Sequence, residues 1–381
     1  MHNLAILALD DFEHYTSTES LSMGGATGVI KSILPYLVAD NIYLIGITSE
    51  KGNTGKVIPF RKNISIIPLI HVPVGTKIPV RILAFWQSRK INAVLRKFSI
   101  DSVYSHAEEI SYWIKPGPVV LYHMHGGANA IVKAKNKYLR LGLIRNLWEH
   151  VRSANIMKAS RVIAIDSFCS DLAKKQGAGA KTLLIPNFVD TGIFYRDNTP
   201  SRYLQNINGD ILLFVGRIEE VKGLELFADT VIELDRSEPG RWTGVIVGRG
   251  TYQPVIEKYI REKSAERLFL FPGPVFRQDE LRKIYSRASV LMISSHFEGI
   301  PMVILEAIAC QTPAMATDVG GIKELIADDV MCCVSESRDA TEFAGIARKL
   351  ISHRNDMPAD TKFSSRKASD LINSILSGQP V

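Results

Sequence analysis

The clearest indication of the fold is the stretch SVLMISSHFEGIPMVILEAIACQTPAMATDVGGIKELI, residues 289–326. It contains two short apolar runs, SVLMISS (289–295) and TPAMATD (312–318), separated by a segment long enough for a helix. Nearly continuous apolar runs predict strands that are buried on both faces, and strands that alternate with helices predict a parallel sheet. The stretch therefore predicts a strand–helix–strand–helix unit of an α/β domain.

Similar apolar runs form two series on either side of a polar segment, residues 189–210, which is rich in Gly, Pro, Asn and Asp. The first series predicts strands at 3–9, 42–48, 64–70, 102–106, 119–125, 161–166 and 182–187, and the second at 211–217, 243–249, 268–273, 289–295 and 312–318. We predict two doubly wound, Rossmann-like domains, 1–190 and 191–363, facing a ligand-binding cleft. A terminal helix at about 364–381 is expected to pack back on the first domain.

The composition is that of a globular protein, with 381 residues, 46% hydrophobic and 22% charged. No apolar run approaches the roughly 20 residues that a membrane-spanning helix needs. The first residues, MHNLAILALDDFEHY, have no basic segment and already include Asp10 and Asp11, which argues against a secretory signal. We therefore expect a cytoplasmic protein whose four cysteines are reduced, since none forms a CxxC pair.

The net charge of +7 is unevenly distributed, with 23 Lys and Arg against 13 Asp and Glu in residues 1–190, and 23 against 26 in the remainder. Two basic stretches, 77–98 and 133–152, also carry Trp, Leu and Ile at spacings that suit amphipathic helices. Such helices either are ordinary solvated surface helices or contact an anionic membrane surface, here the inner face of the cell membrane.

The stretch 289–326 contains two glutamates that are candidate ligand-binding residues. Glu298 precedes Gly299 and Pro301, in a predicted loop at the end of a strand, and Glu306 follows eight positions later, two turns into the predicted helix. Eight steps of about 100° return to within about 80° of the starting direction, so one long ligand is able to reach both. Because carboxylates accept hydrogen bonds from hydroxyl groups, the pair predicts a sugar or ribose ligand.

Two basic residues follow another predicted strand, in LLFVGRIEEVKGLELFADT (212–230). Arg217 comes directly after the strand, and Lys222 precedes Gly223 and an amphipathic helix. Cations at a strand end and a helix start predict an anion site, although a loop with solvated charges has the same appearance. Arg249, in VGRGTYQ (247–253), follows a second strand of the same series and is expected to line the same site.

The first domain offers a glycine-rich loop and a pair of histidines. Gly24 and Gly25 precede a predicted helix, a position that suits either a phosphate cradle or a structural turn. The loop does not fit GxGxxG, which argues against an NAD-dependent enzyme. His125 shares a strand face with His123, and is either a hydrogen-bonding group of the site or a structural histidine. We predict no zinc site, because no third ligand has a plausible spacing.

In their order and spacing, these motifs resemble the GT-B retaining glycosyltransferases of family GT4, also called glycosyl transferases group 1. The resemblance is carried by four features: the E-x7-E motif of Glu298 and Glu306, the Arg217 and Lys222 pair, the GGA loop at 24–26, and IPNFVDTGIF at 185–194. The sequence departs from the family pattern at Phe188 and Gln311, where the family frequently has Gly.

The resemblance implies a role for each motif. It places Glu298, with Gly299, Ile300 and Pro301, on the donor sugar, Glu306 on the ribose diol, Arg217 and Lys222 on the diphosphate, Gly24 and Gly25 on a phosphate through backbone N–H groups, Arg249 in the same donor site, Val275 on the nucleobase, and His125 on the transferred sugar. The implied catalytic residues are His125, Arg217, Lys222 and Glu298.

The implied reaction transfers a hexose-type sugar, with retention, from a UDP- or GDP-sugar to a glycan or lipid-linked acceptor. We expect no cofactor and no metal, since the chain has no Asp-x-Asp motif and cations handle the phosphate. The implied pathway is bacterial surface polysaccharide assembly, such as O-antigen, capsule or exopolysaccharide. Two alternatives stay open: a nucleotide-sugar 2-epimerase of the same fold, and a non-enzymatic basic protein that binds membranes or nucleic acid. We expect no nucleic-acid partner.

Overall fold

The computed structural model describes residues 1–13, 26–125, 142–326, 332–352, 361 and 363–379. The chain divides into two compact units. The first consists of Met1–Pro186 together with Arg366–Val381, and the second of Asn187–Ser365.

The first unit is built on an eight-stranded sheet in the order β3-β4-β2-β1-β5-β6-β7-β8. Its strands are β1 (Asn3–Leu7), β2 (Asn41–Thr48), β3 (Ile58–Arg61), β4 (Ile64–His71), β5 (Ser102–Ser105), β6 (Val119–Met124), β7 (Arg161–Ala164) and β8 (Thr182–Leu184). All neighbouring strands are parallel except β3 and β4. All five residues of the central strand β1 are buried, as expected of a sheet that is covered on both faces.

The sequence did not predict the edge strand β3. It has only four residues and includes Pro59, and its burial alternates instead of being continuous. Pro lacks a backbone N–H and is tolerated at the edge of a sheet, where one side of the strand needs no partner. A search for continuous apolar runs therefore misses a strand of this kind.

Helices connect the strands of the first unit. They are α1 (Ala26–Ile33), α2 (Val80–Gln87), α3 (Ile91–Lys97), α4 (Glu108–Ser111), α5 (Gly142–Lys158) and α6 (Ser167–Lys175). The predicted helical character of the basic stretch 77–98 is confirmed by α2 and α3. In the stretch 133–152, α5 confirms the part from residue 142, and 133–141 lie outside the described residues.

The second unit is built on a six-stranded sheet in the order β11-β10-β9-β12-β13-β14, and every neighbouring pair is parallel. Its strands are β9 (Asp210–Val215), β10 (Trp242–Val247), β11 (Phe269–Gly273), β12 (Val290–Ile293), β13 (Ala314–Thr317) and β14 (Cys332–Ser335). Its helices are α7 (Leu224–Ser237), α8 (Gln253–Glu262), α9 (Gln278–Arg287), α10 (Met302–Ala309), α11 (Ile322–Ile326) and α12 (Ala340–Ser352). The strand–helix–strand–helix unit predicted for 289–326 is confirmed.

Helix α7 shows how the core of the second unit forms. Leu224, Phe227, Val231 and Leu234 recur every three or four residues, so they share one face of the helix. All four are completely buried in a cluster that includes Trp242 at the start of β10. Burial of each such side chain contributes roughly 1.5–3 kcal/mol, which fixes the helix against the sheet.

A final helix, α13 (Ser365–Leu376), confirms the predicted terminal helix. It is tied to the segment that follows α1. Asn373 Nδ2 donates to the carbonyl oxygen of Tyr36 at 2.9 Å, and the Val38 backbone N–H donates to Asn373 Oδ1 at 3.0 Å. These hydrogen bonds explain why the last helical segment belongs to the first unit.

The ends of β9 and β10 approach each other unusually closely. Gly216 and Gly248 follow the two strands, and the Gly216 N–H donates to the carbonyl oxygen of Val247 at 3.0 Å. A Cβ atom on Gly248 would lie 1.8 Å from the carbonyl oxygen of Gly216, and Gly248 has a φ of +145°. Only glycine fits here, and its absence of a side chain brings the loops that carry Arg217 and Arg249 together.

Replacing Gly248 by alanine is therefore expected to destabilise the second unit by at least about 2 kcal/mol, because backbone strain is added to a steric clash. The matched control is Gly240→Ala, at φ +77° but with no atom within 4 Å of its Cβ. Alanine at this position adds backbone strain but no steric clash, so it is expected to lower the free energy of unfolding by only about 1 kcal/mol. Urea unfolding will measure both, and equal midpoint shifts would contradict the close approach.

Candidate functional site

The carboxyl edge of the second sheet collects the predicted donor-binding residues. Val275 lies beyond β11, Arg249 beyond β10, Arg217 and Lys222 beyond β9, and Glu298 beyond β12. These four strands are neighbours in the sheet, in that order. Because parallel strands end at the same edge, residues that are far apart in the sequence come to lie beside one another.

Lys222 is positioned by a tight turn. Residues Glu220–Lys222 form one turn of 3-10 helix, and Gly223 then adopts the left-handed conformation with φ +58° before α7 begins. A Cβ on Gly223 would lie 2.4 Å from the carbonyl oxygen of Ser294, so a larger residue does not fit. The Ser294 hydroxyl donates to the carbonyl oxygen of Lys222 at 2.9 Å, which ties this turn to the end of β12.

Lys222 and Glu298 form a largely buried ion pair. Lys222 Nζ lies 2.5 Å from Glu298 Oε1, and the two side chains are 19% and 12% exposed. The Ser295 hydroxyl donates to the same oxygen at 2.6 Å. The sequence predicted both residues as site residues, but not that they contact each other.

Arg217 and Arg249 extend outward from the same edge. The Arg217 side chain is 68% exposed, and Nη1 donates to Glu219 Oε1 at 2.7 Å. Arg249 is also exposed, and its guanidinium lies 5.8 Å from the centre of the Phe276 ring. An exposed ion pair contributes little to stability, so the Arg217 guanidinium is able to leave Glu219 for an incoming anion.

Glu306 has a very different environment. It is the fifth residue of α10 and is 4% exposed. We predicted that Glu306 lies two turns into the helix. It lies closer to the start of the helix, because the helix begins only at Met302, directly after Pro301 at the N-cap position. Tyr285 Oη donates to Glu306 Oε2 at 2.7 Å. Burial raises the pKa of Glu306 to about 7, although the Tyr285 hydrogen bond acts in the opposite direction.

The loop between the two glutamates is also anchored. The carbonyl oxygen of Ile300 accepts a hydrogen bond from Asn187 Nδ2 at 3.0 Å, and the Gly321 N–H donates to the carbonyl oxygen of Gly299 at 3.3 Å. Glu298 thus stands on a loop with a defined backbone.

In the first unit, His125 belongs to a cluster of three histidines. His106 follows β5, His123 lies in β6, and His125 follows β6. The rings of His123 and His125 stack, with centroids 4.4 Å apart and an interplanar angle of 9°. His106 Nδ1 lies 2.6 Å from His125 Nε2. Burial lowers the pKa of His125 to about 4, although Glu108 raises it, so the ring is neutral near pH 7.

The histidine cluster lies close to a buried charge network that the sequence did not predict. Glu108 accepts from Arg152 Nε at 2.8 Å and from the Tyr122 hydroxyl at 2.7 Å, and forms an ion pair with Arg81 at 3.0 Å. Burial opposes ionisation, but Arg152 and Arg81 lower the pKa of Glu108. The network holds one carboxylate charged inside the unit.

Two predicted residues lie outside the described residues. Gly24 and Gly25 precede the first described residue of α1, Ala26, and the structure makes no statement about them. Their predicted contact with a phosphate stays a prediction.

A cavity of about 540 Å³ lies beside the turn that carries Lys222. Gly223, His296 and Arg338 contribute to its wall, but most of its charged lining is acidic, from Glu220, Glu225, Asp229 and Asp339. No donor-binding residue predicted within the described part of the chain lines it. An acidic wall repels anions, so this cavity suits an anion less well than the basic side chains at the sheet edge do.

Sequence reasoning missed three residues of these two sites: Tyr285, Ser295 and His106. Ser295 and His106 are polar residues at strand ends, which is the one signal that pointed to them. Tyr285 lies within α9 and has no such signal, because its contact with Glu306 depends on how α9 packs beside α10.

Two family descriptions match most of the chain. Residues 23–192 match Glycosyltransferase Family 4, and residues 209–353 match Glycosyl transferases group 1. Among curated relatives, the D-inositol 3-phosphate glycosyltransferase of Frankia alni is 34% identical over 152 residues, which are 38% of this chain and 37% of that protein. The chain spans less than half the length of the first three curated relatives, 37%, 42% and 43%.

Solved structures resemble the whole chain. HepE of Anabaena, in complex with UDP-glucose, aligns with a TM-score of 0.69 at 16% identity, covering 99% of this chain and 100% of that one. WaaG, a glycosyltransferase involved in lipopolysaccharide biosynthesis, aligns with a TM-score of 0.67 at 15% identity, covering 98% of both chains. At these identities the likeness shows the fold, which is the predicted GT-B fold.

The raised pKa of Glu306 predicts how stability depends on pH. An ordinary glutamate in the unfolded chain loses its proton near pH 4.3, before the buried Glu306 does, so this residue lowers stability as the pH rises from about 4 to about 7. Glu306→Gln removes that effect. Relative to the wild type, the variant is expected to gain about 2 kcal/mol in unfolding free energy between about pH 5 and about pH 8.

The control is Glu262→Gln, at a glutamate whose side chain is 62% exposed. Urea unfolding at the two pH values should show no such gain for the control. Parallel pH curves for Glu306→Gln and the wild type would mean that Glu306 titrates normally.

Proposed function

Since the chain belongs to the group 1 glycosyltransferases of family 4, we propose that it transfers a sugar from a nucleotide-sugar donor to an acceptor hydroxyl. The donor binds at the carboxyl edge of the second sheet. The observation that carries this proposal is the ion pair of Lys222 and Glu298, which joins the loops after two neighbouring strands.

The pair is suited to exchange its partners when a donor binds. A diphosphate is a stronger anion for Lys222 than a single carboxylate, and it forms charge-assisted hydrogen bonds with the ammonium group. Once Lys222 turns to the phosphate, Glu298 Oε1 is available to accept hydrogen bonds from hydroxyl groups of the sugar. The diphosphate takes the place of Glu298 as the partner of Lys222, and the sugar hydroxyls take the place of Lys222 as the partners of Glu298. The two parts of the donor therefore favour each other's binding.

Arg217 supplies a second cation. Its side chain is exposed and bonded to Glu219 only two residues away, so it can move to the diphosphate at little cost. The two cations stabilise the negative charge that develops on the leaving nucleotide, which lowers the barrier to breaking the glycosidic bond. No metal ion is needed for this role.

Glu306 holds the ribose in this proposal. Tyr285 binds Oε2 and orients the carboxylate, and within the described residues Oε1 carries no hydrogen bond. A ribose diol donates to an ionised carboxylate. Donor binding therefore favours the deprotonated form of Glu306, and is expected to weaken as the pH falls below about 7.

We further propose that transfer proceeds with retention, by attack of the acceptor on the face from which the nucleotide leaves. Glu298 is engaged with Lys222 and Ser295, and Glu306 is engaged with Tyr285, so both carboxylates serve binding better than nucleophilic attack. His125 is neutral near pH 7, so it offers a ligand hydrogen bonds and not charge. Trapping a glycosyl adduct on a carboxylate would contradict this mechanism.

The donor and the pathway are proposed on weaker grounds. HepE, which shares the fold, has been solved with UDP-glucose, so UDP-glucose is the first donor to test. WaaG, of the same fold, takes part in lipopolysaccharide biosynthesis, which supports a glycan or lipid-linked acceptor in surface polysaccharide assembly. A 2-epimerase of the same fold would instead change the UDP-sugar in the absence of any acceptor.

Lys222→Gln is expected to weaken UDP binding by about 10- to 100-fold, because hydrogen bonds to a charged group contribute about 1.5–3 kcal/mol. Titration calorimetry with UDP measures this change. The matched control is Lys283→Gln, since Lys283 is also largely buried, at 20% exposure, and paired with a glutamate, Glu280, at 3.1 Å.

Equal losses in the two variants would assign the effect to stability and not to phosphate binding. Release of the nucleoside diphosphate from a panel of UDP- and GDP-sugars then tests the reaction. If no nucleotide sugar binds or turns over, the transferase proposal fails and a non-enzymatic role is favoured.

We also propose that the first unit contacts an anionic membrane surface through residues 77–98. Within the described ranges, no helix is long and apolar enough to cross a membrane. Instead, α2 and the loop before it expose apolar side chains: Val74 is 88% exposed, Ile78 51% and Trp86 55%. The Arg89 guanidinium lies 4.2 Å from the centre of the Trp86 ring. Exposed aromatic and basic groups side by side suit the lipid headgroup region.

In vesicle flotation, binding to vesicles containing phosphatidylserine is expected, with at least a several-fold loss for Trp86→Ala and on raising the salt concentration. Val255→Ala is the control, because Val255 is also exposed, at 47%, but lies in the second unit. Equal binding to neutral and anionic vesicles would contradict the proposal.

A further inference from the structure

The three histidines of the first unit are close enough together to bind one metal ion. One ring nitrogen from each of His106, His123 and His125 lies within 4.8 Å of the others. The His106 and His125 rings are 4.9 Å apart with an interplanar angle of 25°, and His106 and His123 are 5.0 Å apart. Two adjacent parallel strands, β5 and β6, bring these rings together at one end of the sheet.

In the sequence, no third metal ligand lies at a plausible spacing from His123 and His125. The structure supplies one, because His106 follows the neighbouring strand. The separation of 17 residues between His106 and His123 gives no sequence signal, but the parallel pairing of Tyr104 with Leu121 places the two strand ends side by side.

A metal ion binds a neutral imidazole through the lone pair of one ring nitrogen. One metal ion would therefore engage one nitrogen from each of the three rings, and these nitrogens already lie within 4.8 Å of one another.

The surroundings also fit a cation. Tyr104 Oη and His123 Nδ1 share a hydrogen bond of 2.8 Å, which fixes the orientation of this ring as the outer-shell partners of metal ligands do. The negative charge of Glu108 acts on His125.

We propose that His106, His123 and His125 form a binding site for one divalent transition-metal ion such as Zn²⁺, with a fourth position open to water or another small ligand. Three imidazoles are a donor set for zinc and cobalt and not for calcium or magnesium. The 2.6 Å contact between His106 and His125 has to open by about 1 Å, since each zinc–nitrogen bond measures about 2.0–2.1 Å. Both residues follow strands and are only partly buried, so this movement does not disrupt the sheet. The site does not depend on the proposed transferase activity.

The test uses the full chain, stripped of metal with a chelator and titrated with Co²⁺, whose visible absorption is intense only in sites of low coordination number. We expect one equivalent of Co²⁺ to produce these bands and Zn²⁺ to remove them. His106→Gln and His125→Gln should each weaken Co²⁺ binding by at least about tenfold while circular dichroism shows an unchanged fold.

The control is His150→Gln, at an exposed histidine of the same unit. It should bind Co²⁺ as the wild type does. Absence of the bands at one equivalent would overturn the proposal and leave the cluster as a stack of uncharged rings. Unchanged Co²⁺ binding by His106→Gln and His125→Gln, or equal loss in His150→Gln, would overturn it as well.

Discussion

The contact between Lys222 and Glu298 is the interaction on which the proposed donor site depends. The two residues are 76 positions apart, yet their side chains meet at 2.5 Å because β9 and β12 are neighbours in a parallel sheet. A largely buried ion pair is costly to break by removing one partner, since the other charge is then left unsatisfied. It is less costly to exchange one partner for another. A ligand that brings both an anion and hydroxyl groups can satisfy the two charges at once, and a nucleotide sugar has both.

The second glutamate shows how environment separates two identical side chains. Glu298 lies in a loop, paired with the Lys222 ammonium group and the Ser295 hydroxyl, whereas Glu306 is buried in α10 and accepts a hydrogen bond from Tyr285. Glu298 is able to exchange its partners, whereas the pKa of Glu306, raised to about 7, lies close to neutral pH. Their spacing of eight residues spans the loop and the first turn of the helix. We infer that the two glutamates bind different parts of one ligand.

Much of the fold was predictable because buried parallel strands appear in the sequence as nearly continuous apolar runs. The run at 289–295 contains β12, and the run at 312–318 contains β13. The edge strands β3 and β14 were missed. Strand β3 contains a proline and alternates in burial, and three of the four residues of β14 are only partly buried. Several candidate site residues, such as Lys222, Glu298 and His125, could be selected from the sequence one at a time, as polar residues that follow strands. Their pairing was not, because it depends on which strands are neighbours, as the contacts of Lys222 with Glu298 and of His106 with His125 both show.

The most direct test is the structure of the protein in complex with a nucleoside diphosphate. If the donor binds as proposed, Lys222 Nζ will lie within hydrogen-bonding distance of a phosphate oxygen, no longer bonded to Glu298 Oε1, and a ribose hydroxyl will donate to Glu306. A nucleotide bound elsewhere, or bound here with the Lys222–Glu298 pair intact, would contradict the central claim that this ion pair is the diphosphate site.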